Sequence, residues 1–138
     1  MKIDRKAVYD KCNGHCAYCG QPIEFKAMQV DHVMPVIRNT KFVPDPKGYG
    51  GKRVFDGTYD YPERLCIENC LPACRVCNNY KHTFSLETFR NELGKQLERA
   101  RKNSANYRMA LRYGLIQETP KPIVFYFESH SPQNSRNL

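Results

Sequence analysis

The chain has 138 residues, a length typical of a single domain. Its mean hydropathy of -0.69 and the lack of an apolar run of about 18 residues exclude a membrane-spanning helix. Lysine and arginine number 22 against 14 acidic residues, and the net charge of +8 favours a polyanionic partner, nucleic acid first. No apolar signal segment is seen, so we expect a cytoplasmic protein. In such a protein its seven cysteines are expected to supply metal ligands rather than disulfides, and the odd number leaves at least one of them outside any paired scheme.

The first half of the chain is predicted to hold one helix, one strand and a long loop. A short helix is expected from residue 4 to about residue 12, with Asp4 as its N-cap. Alternating side chains over residues 24–32 indicate a strand. Residues 36–65 are rich in proline and glycine, and we expect there an irregular loop that contains at most a short hairpin.

The second half of the chain is predicted to be mainly helical. The segment after the loop leads into a helix that continues through Lys81, and an amphipathic helix follows over residues 85–102. A further helix over residues 105–113, a strand over residues 122–128 and a frayed tail over residues 129–138 complete the prediction. The expected fold class is α+β.

Four of the cysteines form two C-x-x-C pairs, Cys16 with Cys19 and Cys74 with Cys77. Each pair places two thiolates on one side of a tight turn, and together they complete a closed, tetrahedral and therefore structural zinc site. Two other interpretations stay open at this stage, namely buried free cysteines and a redox pair. The redox interpretation is weakened because neither pair lies in a βαβ pattern.

An aspartate–histidine pair, Asp31 and His32, ends the predicted strand. Neighbouring side chains of a strand point in opposite directions, so one can hold a metal ion while the other faces an attacking water. Asn78 and His82 are four residues apart on the predicted helix and share a face. Oxygen and imidazole donors that converge from a strand and a helix suit a hard divalent cation. Taken alone, the pair also fits a capped turn or a surface contact.

In this order, the motifs resemble those of the HNH nuclease family. The similarity consists of Asp-His-x-x-Pro at residues 31–35, Asn69 placed nine residues before Asn78, Cys-Asn-x-x-Lys at residues 77–81, and the flanking C-x-x-C pairs. The resemblance implies a small zinc-stapled ββα-metal core with an N-terminal helix and a C-terminal helical extension.

The resemblance also implies a role for each site residue. His32 would be the general base that takes a proton from water. Asp31 and Asn78 would ligate a catalytic Mg²⁺ or Mn²⁺, and His82 would add a ligand or a phosphate contact. Asn69 would orient the adjoining loop, and with it the His32 ring, by hydrogen bonding; on its own it also fits an ordinary turn asparagine. The expected reaction is hydrolysis of DNA phosphodiester bonds, leaving a 5′-phosphate and a 3′-hydroxyl.

This interpretation divides the chain into a nuclease core over residues 1–84, with the insertion at about 36–65, and a helical extension with a terminal strand over residues 85–128. Two groups of basic residues either contact DNA or are simply solvated. They are Lys41, Lys47, Lys52 and Arg53 in the insertion, interleaved with aromatic residues, and Arg90, Lys95, Arg99, Arg101, Lys102, Arg108 and Arg112 in the extension.

Two other functions remain open from the sequence. The main alternative is a zinc module that binds nucleic acid or a protein partner without cutting; the joint presence of Asp31, His32 and Asn78 argues against it. The second is an RNA nuclease on the same scaffold, although the sequence shows no recognisable reader of the 2′-hydroxyl.

Overall fold

The computed structural model describes residues 2–130, which fold into six helices and two separate two-stranded antiparallel sheets. The helices are α1 (Arg5–Asp10), α2 (Arg75–Lys81), α3 (Leu86–Gly94), α4 (Gln96–Asn103), α5 (Ala105–Arg112) and α6 (Tyr126–His130). The strands are β1 (Gln29–His32), β2 (Ile37–Pro44), β3 (Gly51–Asp60) and β4 (Cys70–Ala73). This mixture agrees with the α+β class. No helix in the described part of the chain is long and apolar enough to cross a membrane.

The N-terminal helix begins where the sequence predicts. The carboxylate of Asp4 accepts hydrogen bonds from the backbone N–H groups of Lys6 (3.0 Å) and Ala7 (3.2 Å), which have no partner within the helix. Val8 is fully buried and packs in an apolar cluster with Cys70 of β4. One cap and one buried side chain thus fix α1 against the small sheet, and the predicted N-cap is confirmed.

The small sheet pairs β1 with β4 in antiparallel register, with His32 opposite Cys70. Side chains alternate between the two faces of such a pair. Val30 joins the apolar cluster beneath α1, whereas Gln29 and Asp31 on the other face contact α2. The sheet therefore carries an apolar face for anchoring and a polar face towards the second helix.

The first strand is shorter than the alternation over residues 24–32 predicts. Residues Phe25–Ala27 form a 3₁₀ turn, closed by the backbone N–H groups of Ala27 and Met28 on the carbonyl of Glu24. β1 begins only after this turn. Its partner β4 lies in a segment for which the sequence predicts only the approach to a helix. The pairing of β1 with β4 was therefore not predicted from local patterns.

The expectation of an irregular loop over residues 36–65 is wrong. β2 and β3 form a long antiparallel hairpin whose register runs from Ile37 opposite Asp60 to Pro44 opposite Gly51, with one irregularity. The prolines and glycines that suggested disorder are concentrated at the tip, where a turn needs them. No residue between Ile37 and Asp60 is buried, so the hairpin has no core of its own.

The aromatic core lies between the small sheet and the C-terminal segment. Tyr18 makes edge contacts with Phe89 of α3 (5.4 Å between ring centroids) and with Phe125 (5.3 Å). Phe89 and Phe125 stack on each other at 5.3 Å, and both are almost completely buried. Because burying one such ring contributes roughly 1.5–3 kcal/mol, these contacts hold the C-terminal segment on the sheet.

The helix predicted over residues 85–102 is broken in two. The first helix begins as predicted, because the Ser85 hydroxyl caps α3 by accepting a hydrogen bond from the Thr88 N–H. The backbone then leaves helical geometry at Lys95, directly after Gly94, and α4 starts at the next residue. α5 then ends as predicted, with Gly114 in the left-handed region at φ 69°.

The strand predicted over residues 122–128 is also wrong. The backbone N–H groups of Tyr126 and Phe127 donate to the carbonyls of Tyr18 and Ala17, and the chain then turns into α6. The alternating apolar residues fill the aromatic core from a short extended segment that pairs with no strand among residues 2–130. Of the tail predicted from residue 129, the first two residues end α6, and residues 131–138 lie outside the described range.

Candidate metal and catalytic site

The four predicted zinc ligands come together. The sulfur atoms of Cys16, Cys19, Cys74 and Cys77 all lie within 4.8 Å of one another, and the Sγ atoms of Cys19 and Cys74 are 3.9 Å apart. Zn–S bonds of about 2.3 Å in a tetrahedron place sulfur atoms about 3.8 Å apart. The cluster therefore has the donor chemistry and spacing of a four-thiolate metal site.

Local backbone geometry presents these sulfurs. The first pair sits in a knuckle closed by the Gly20 N–H on the Cys16 carbonyl, with Gly20 in the left-handed region at φ 78°. The Ala17 N–H donates to the carbonyl of Pro72, which ties this knuckle to β4. Cys74 is the N-cap of α2, and its sulfur accepts from the Cys77 N–H. The cluster thus fixes the point at which α2 begins.

The thiols share their protons unequally. A hydrogen bond from the Cys77 thiol, helped by neighbouring backbone N–H groups, lowers the pKa of Cys16 to about 4. The same hydrogen bond raises the pKa of Cys77, and burial raises that of Cys19. Hydrogen bonding within the cluster thus favours the thiolate form of Cys16, and the thiolate is the form in which cysteine binds metal.

Asp31 belongs to a buried polar network that the sequence did not reveal. The ammonium group of Lys81 lies 3.1 Å from Asp31 Oδ2, and this lysine is completely buried. The hydroxyl of Tyr18 donates to the same oxygen at 2.5 Å. Because Oδ2 makes both contacts, Oδ1 is the oxygen without a hydrogen bond within residues 2–130. The signal available in the sequence was the lysine at the end of the Cys-Asn-x-x-Lys string.

His32 lies next to this network at the end of β1. The Lys81 ammonium donates to the His32 carbonyl at 3.0 Å, which fixes the backbone of the histidine. The Nε2 atom of the ring is buried and has no hydrogen-bond partner among the described residues. Burial lowers the pKa of His32, and the positive charge of Lys81 adds to that effect against the opposing charge of Asp31. The ring is therefore held in its neutral form to lower pH than a free imidazole.

Asn69 holds the turn that follows His32. Its side-chain oxygen accepts from the Met34 N–H at 2.9 Å, and its amide nitrogen donates to the carbonyls of Met34 (2.8 Å) and Arg64 (3.0 Å). Its own carbonyl accepts from the Val33 N–H. These contacts match a loop-orienting position and reach the backbone of the turn rather than the His32 ring.

Asn78 faces β1 from α2. Its amide nitrogen donates to Gln29 Oε1 at 2.8 Å, so its Oδ1 atom is directed away from that contact. Gln29 precedes Asp31 by two residues and lies on the same face of β1, a contact that sequence reasoning missed. Asp31 and Asn78 are therefore placed on facing surfaces of β1 and α2.

His82 lies just beyond the end of α2 rather than within it. It is the exposed C-cap, with φ 47°, and its N–H donates to the Asn78 carbonyl. A shallow depression is lined by Asn78, Asn79 and His82. The expected shared helical face of Asn78 and His82 is thus replaced by a shared surface depression.

The polar donors also fit a hard divalent cation. Asp31 and Asn78 each keep one side-chain oxygen free of hydrogen bonds within the described chain, and carboxylate and amide oxygens suit magnesium or manganese. Among residues 2–130, the thiol cluster is the only group of three or more His, Cys, Asp or Glu side chains close enough to hold an ion. A second cation bound at Asp31 would therefore need the side-chain oxygen of Asn78 as a ligand, because asparagine is not one of these four residue types.

Comparison with known proteins finds one kind of similarity. The chain is 30% identical over 102 residues to the "SPbeta prophage-derived putative HNH endonuclease YoqL" of Bacillus subtilis (strain 168). The aligned region is 67% of this chain and 34% of that protein, so the chain spans about a third of its relative's length. No protein-family profile matches the chain, and no solved structure matches it significantly. The similarity and the four-cysteine cluster together support a relationship to HNH endonucleases.

Proposed function

We propose that this protein is a metal-dependent HNH endonuclease that hydrolyses DNA phosphodiester bonds with His32 as general base. The observation that carries the proposal is a partly buried imidazole beside Asp31 at the end of β1, whose pKa is lowered by burial. That strand faces an α2 helix whose start is fixed by four clustered thiols. The named relative supports the same activity.

The four cysteines would hold a structural Zn²⁺. Their spacing agrees with tetrahedral thiolate coordination, and all four ligand positions are filled by protein, as in closed structural sites. Zinc here would cross-link the knuckle around Cys16 to the first turn of α2. Since α2 carries both Asn78 and Lys81, this cross-link would set the distance between α2 and β1.

His32 would accept the proton of the attacking water through Nδ1. Its Nε2 atom is buried, so Nδ1 is the ring nitrogen that water can reach. The lowered pKa keeps this nitrogen unprotonated at neutral pH, as a general base requires. Lys81 holds the histidine backbone in place and, by neutralising part of the charge on Asp31, keeps the imidazole from being drawn into its protonated form.

Asp31 and Asn78 would offer their free oxygens to Mg²⁺ or Mn²⁺, and His82 would add a ligand or a phosphate contact. A divalent cation bound there would stabilise charge on the scissile phosphate and on the leaving 3′ oxygen. Asn69 would keep the turn after His32 in one conformation, because it binds both the N–H and the carbonyl of Met34. The expected products carry a 5′-phosphate and a 3′-hydroxyl.

The test is plasmid cleavage by purified protein with Mg²⁺, with Mn²⁺ and with EDTA. We expect wild-type protein to cut with either cation and not with EDTA, and His32→Ala to lose cleavage while still binding DNA. His130→Ala is the matched control, since this histidine is exposed on α6, where its ring stacks on Tyr126 and hydrogen-bonds the Ser129 hydroxyl. Equal cleavage by wild type and His32→Ala would contradict the proposal and favour a zinc module that binds without cutting.

A further inference from the structure

The hairpin β2–β3 has two faces of different charge. One face carries Arg38, Thr40 and Phe42 from β2 beside Arg53 and Phe55 from β3, since Thr40 pairs with Phe55 and Phe42 with Arg53. We call this set the arginine face. The opposite face carries Lys41 and Lys52 together with Asp56 and Asp60, so its charges are mixed. The arginine face alone presents positive charge without a carboxylate.

Both arginines of this face are held in place by neighbouring side chains. The Nε and Nη2 atoms of Arg53 donate to the hydroxyl and carbonyl oxygens of Thr40, each at 2.8 Å, which leaves Nη1 pointing outward. The guanidinium carbon of Arg38 lies 4.3 Å from the centroid of the Phe55 ring. Phe42, which pairs with Arg53 across the hairpin, remains 54% exposed. The face is thus pre-organised and solvent-facing.

The basic residues of the C-terminal helices differ, because most of them already have protein partners. Arg90 binds Glu128, Arg101 binds Glu118, and both Lys95 and Arg99 bind Glu92. Arg108 donates to two helix carbonyls. In contrast, no basic side chain between Ile37 and Asp60 forms an ion pair within residues 2–130. Basic side chains without an ion-pair partner within the described residues are therefore grouped on the hairpin.

The hairpin is also fixed to the candidate catalytic site. Its first strand starts five residues after His32, and its second strand ends nine residues before Asn69. At its base, the Arg64 guanidinium donates to the Pro35 carbonyl at 3.0 Å and lies 3.9 Å from the Tyr61 ring centroid. A ligand on the arginine face would consequently be held at a fixed position relative to His32.

We infer that the hairpin enters the major groove of duplex DNA with its arginine face towards the base edges; the inference rests on the proposed nuclease function. The major groove, about 12 Å wide, admits a two-stranded ribbon, and arginine binds the guanine edge while phenylalanine contacts the thymine methyl group. β2, at about 3.3 Å per residue, is about 26 Å long, which corresponds to about eight base pairs. Charge, shape and length all match a duplex.

The test compares two pairs of arginines in protein that carries His32→Ala, so that the DNA stays intact. Arg38→Gln/Arg53→Gln removes the arginine face, and Arg99→Gln/Arg101→Gln removes the same charge from α4. Binding to a fluorescent duplex is measured over a series of NaCl concentrations. We expect the hairpin variant to raise Kd at least tenfold, because arginine–guanine contacts are lost, and to change the slope of log Kd against log salt by less than one, because that slope counts phosphate contacts rather than base contacts. The control should leave both Kd and this slope close to their values in the parent protein.

Groove choice is tested with methyl green, which occupies the major groove, and netropsin, which occupies the minor groove. Methyl green should displace the His32→Ala protein and should have a much smaller effect on the hairpin variant. Absence of competition by methyl green, or equal losses in the two double variants, overturns the inference. Arg38, Arg53 and Arg101 are exposed, whereas Arg99 is half-buried and ion-paired with Glu92, so melting temperatures are measured for both variants to show that folding is intact.

Cleavage by wild-type protein, measured on the same preparation, separates the two claims. Metal-dependent cleavage together with unchanged duplex binding by the hairpin variant refutes the groove-binding ribbon and leaves the nuclease standing. If the wild-type protein neither cleaves DNA nor binds the duplex, the nuclease function and the groove-binding ribbon are both refuted.

Discussion

Removal of the buried Lys81 charge should strongly destabilise the fold. The ammonium group is 3.1 Å from Asp31 Oδ2, and the exposed fractions of the two side chains are 0% and 6%. At an effective dielectric constant of about 20, two unit charges at this distance attract by about 5 kcal/mol. Lys81→Met removes that attraction and leaves the Asp31 carboxylate buried with Tyr18 as its remaining donor. Breaking one half of such a pair costs about 3–5 kcal/mol, so we expect a loss of that size in the free energy of unfolding.

The assay is urea denaturation of zinc-loaded protein, followed by circular dichroism, for Lys81→Met, Asp31→Leu and the double variant. The double variant should lose less free energy of unfolding than the two single variants lose in total, because it leaves neither charge buried without its partner. Lys121→Met, at an exposed lysine, is the control and should change stability by less than about 0.5 kcal/mol. A loss below about 1 kcal/mol in Lys81→Met, or strictly additive effects, would refute the proposed coupling.

Three further outcomes are expected. Burial lowers the pKa of His32, so the midpoint of the acid limb in a pH–rate profile of cleavage should lie below about pH 6.5. Above that midpoint the general base is neutral and active. A midpoint above pH 7 would contradict this. Cys74→Ser should lose tightly bound zinc, measured by elemental analysis, whereas Cys66→Ser, outside the thiol cluster, should retain about one ion per chain; a folded, zinc-free wild type would remove the basis of this prediction. Gln29→Leu should raise the Mg²⁺ concentration needed for half-maximal cleavage about tenfold because Asn78 loses its orienting acceptor, while Gln29→Glu should restore it; equal values for both variants would exclude that role.

The elements that could be predicted from the sequence are those with a strong local signal. Asp4 and Gly114 are such cases, since a cap and a left-handed glycine depend on the few residues around them. The clustering of the four cysteines was also predictable, because two C-x-x-C pairs of the same chemistry complete one site. Local chemistry alone was sufficient for these features.

The errors arose where distant residues decide the structure. The β2–β3 hairpin was missed because the proline and glycine content of its tip outweighed the alternation of its strands. Residues 122–128 have the pattern of a strand, yet their backbone donors bind the carbonyls of Ala17 and Tyr18 in the first knuckle, a contact that no local pattern reveals.

The candidate site shows the same division. Asp31, His32 and Asn78 could be named from their motifs and the resemblance that these carry, whereas their contacts with Lys81, Tyr18 and Gln29 could not. Each of those partners is recruited by the antiparallel pairing of β1 with β4 and by the position of α2 beside it. Predicting them would have required the tertiary arrangement itself.

The closure at the base of the hairpin has a consequence for how such proteins can diversify. The two ends of the insertion are held together by the hydrogen bonds of Asn69 to Met34 and Arg64 and by the pairing of β1 with β4. No side chain of the insertion is buried. The hairpin can therefore be lengthened, shortened or exchanged while the candidate site on β1 and α2 keeps its geometry. Target preference and bond cleavage would then be free to evolve as separate modules of one small chain.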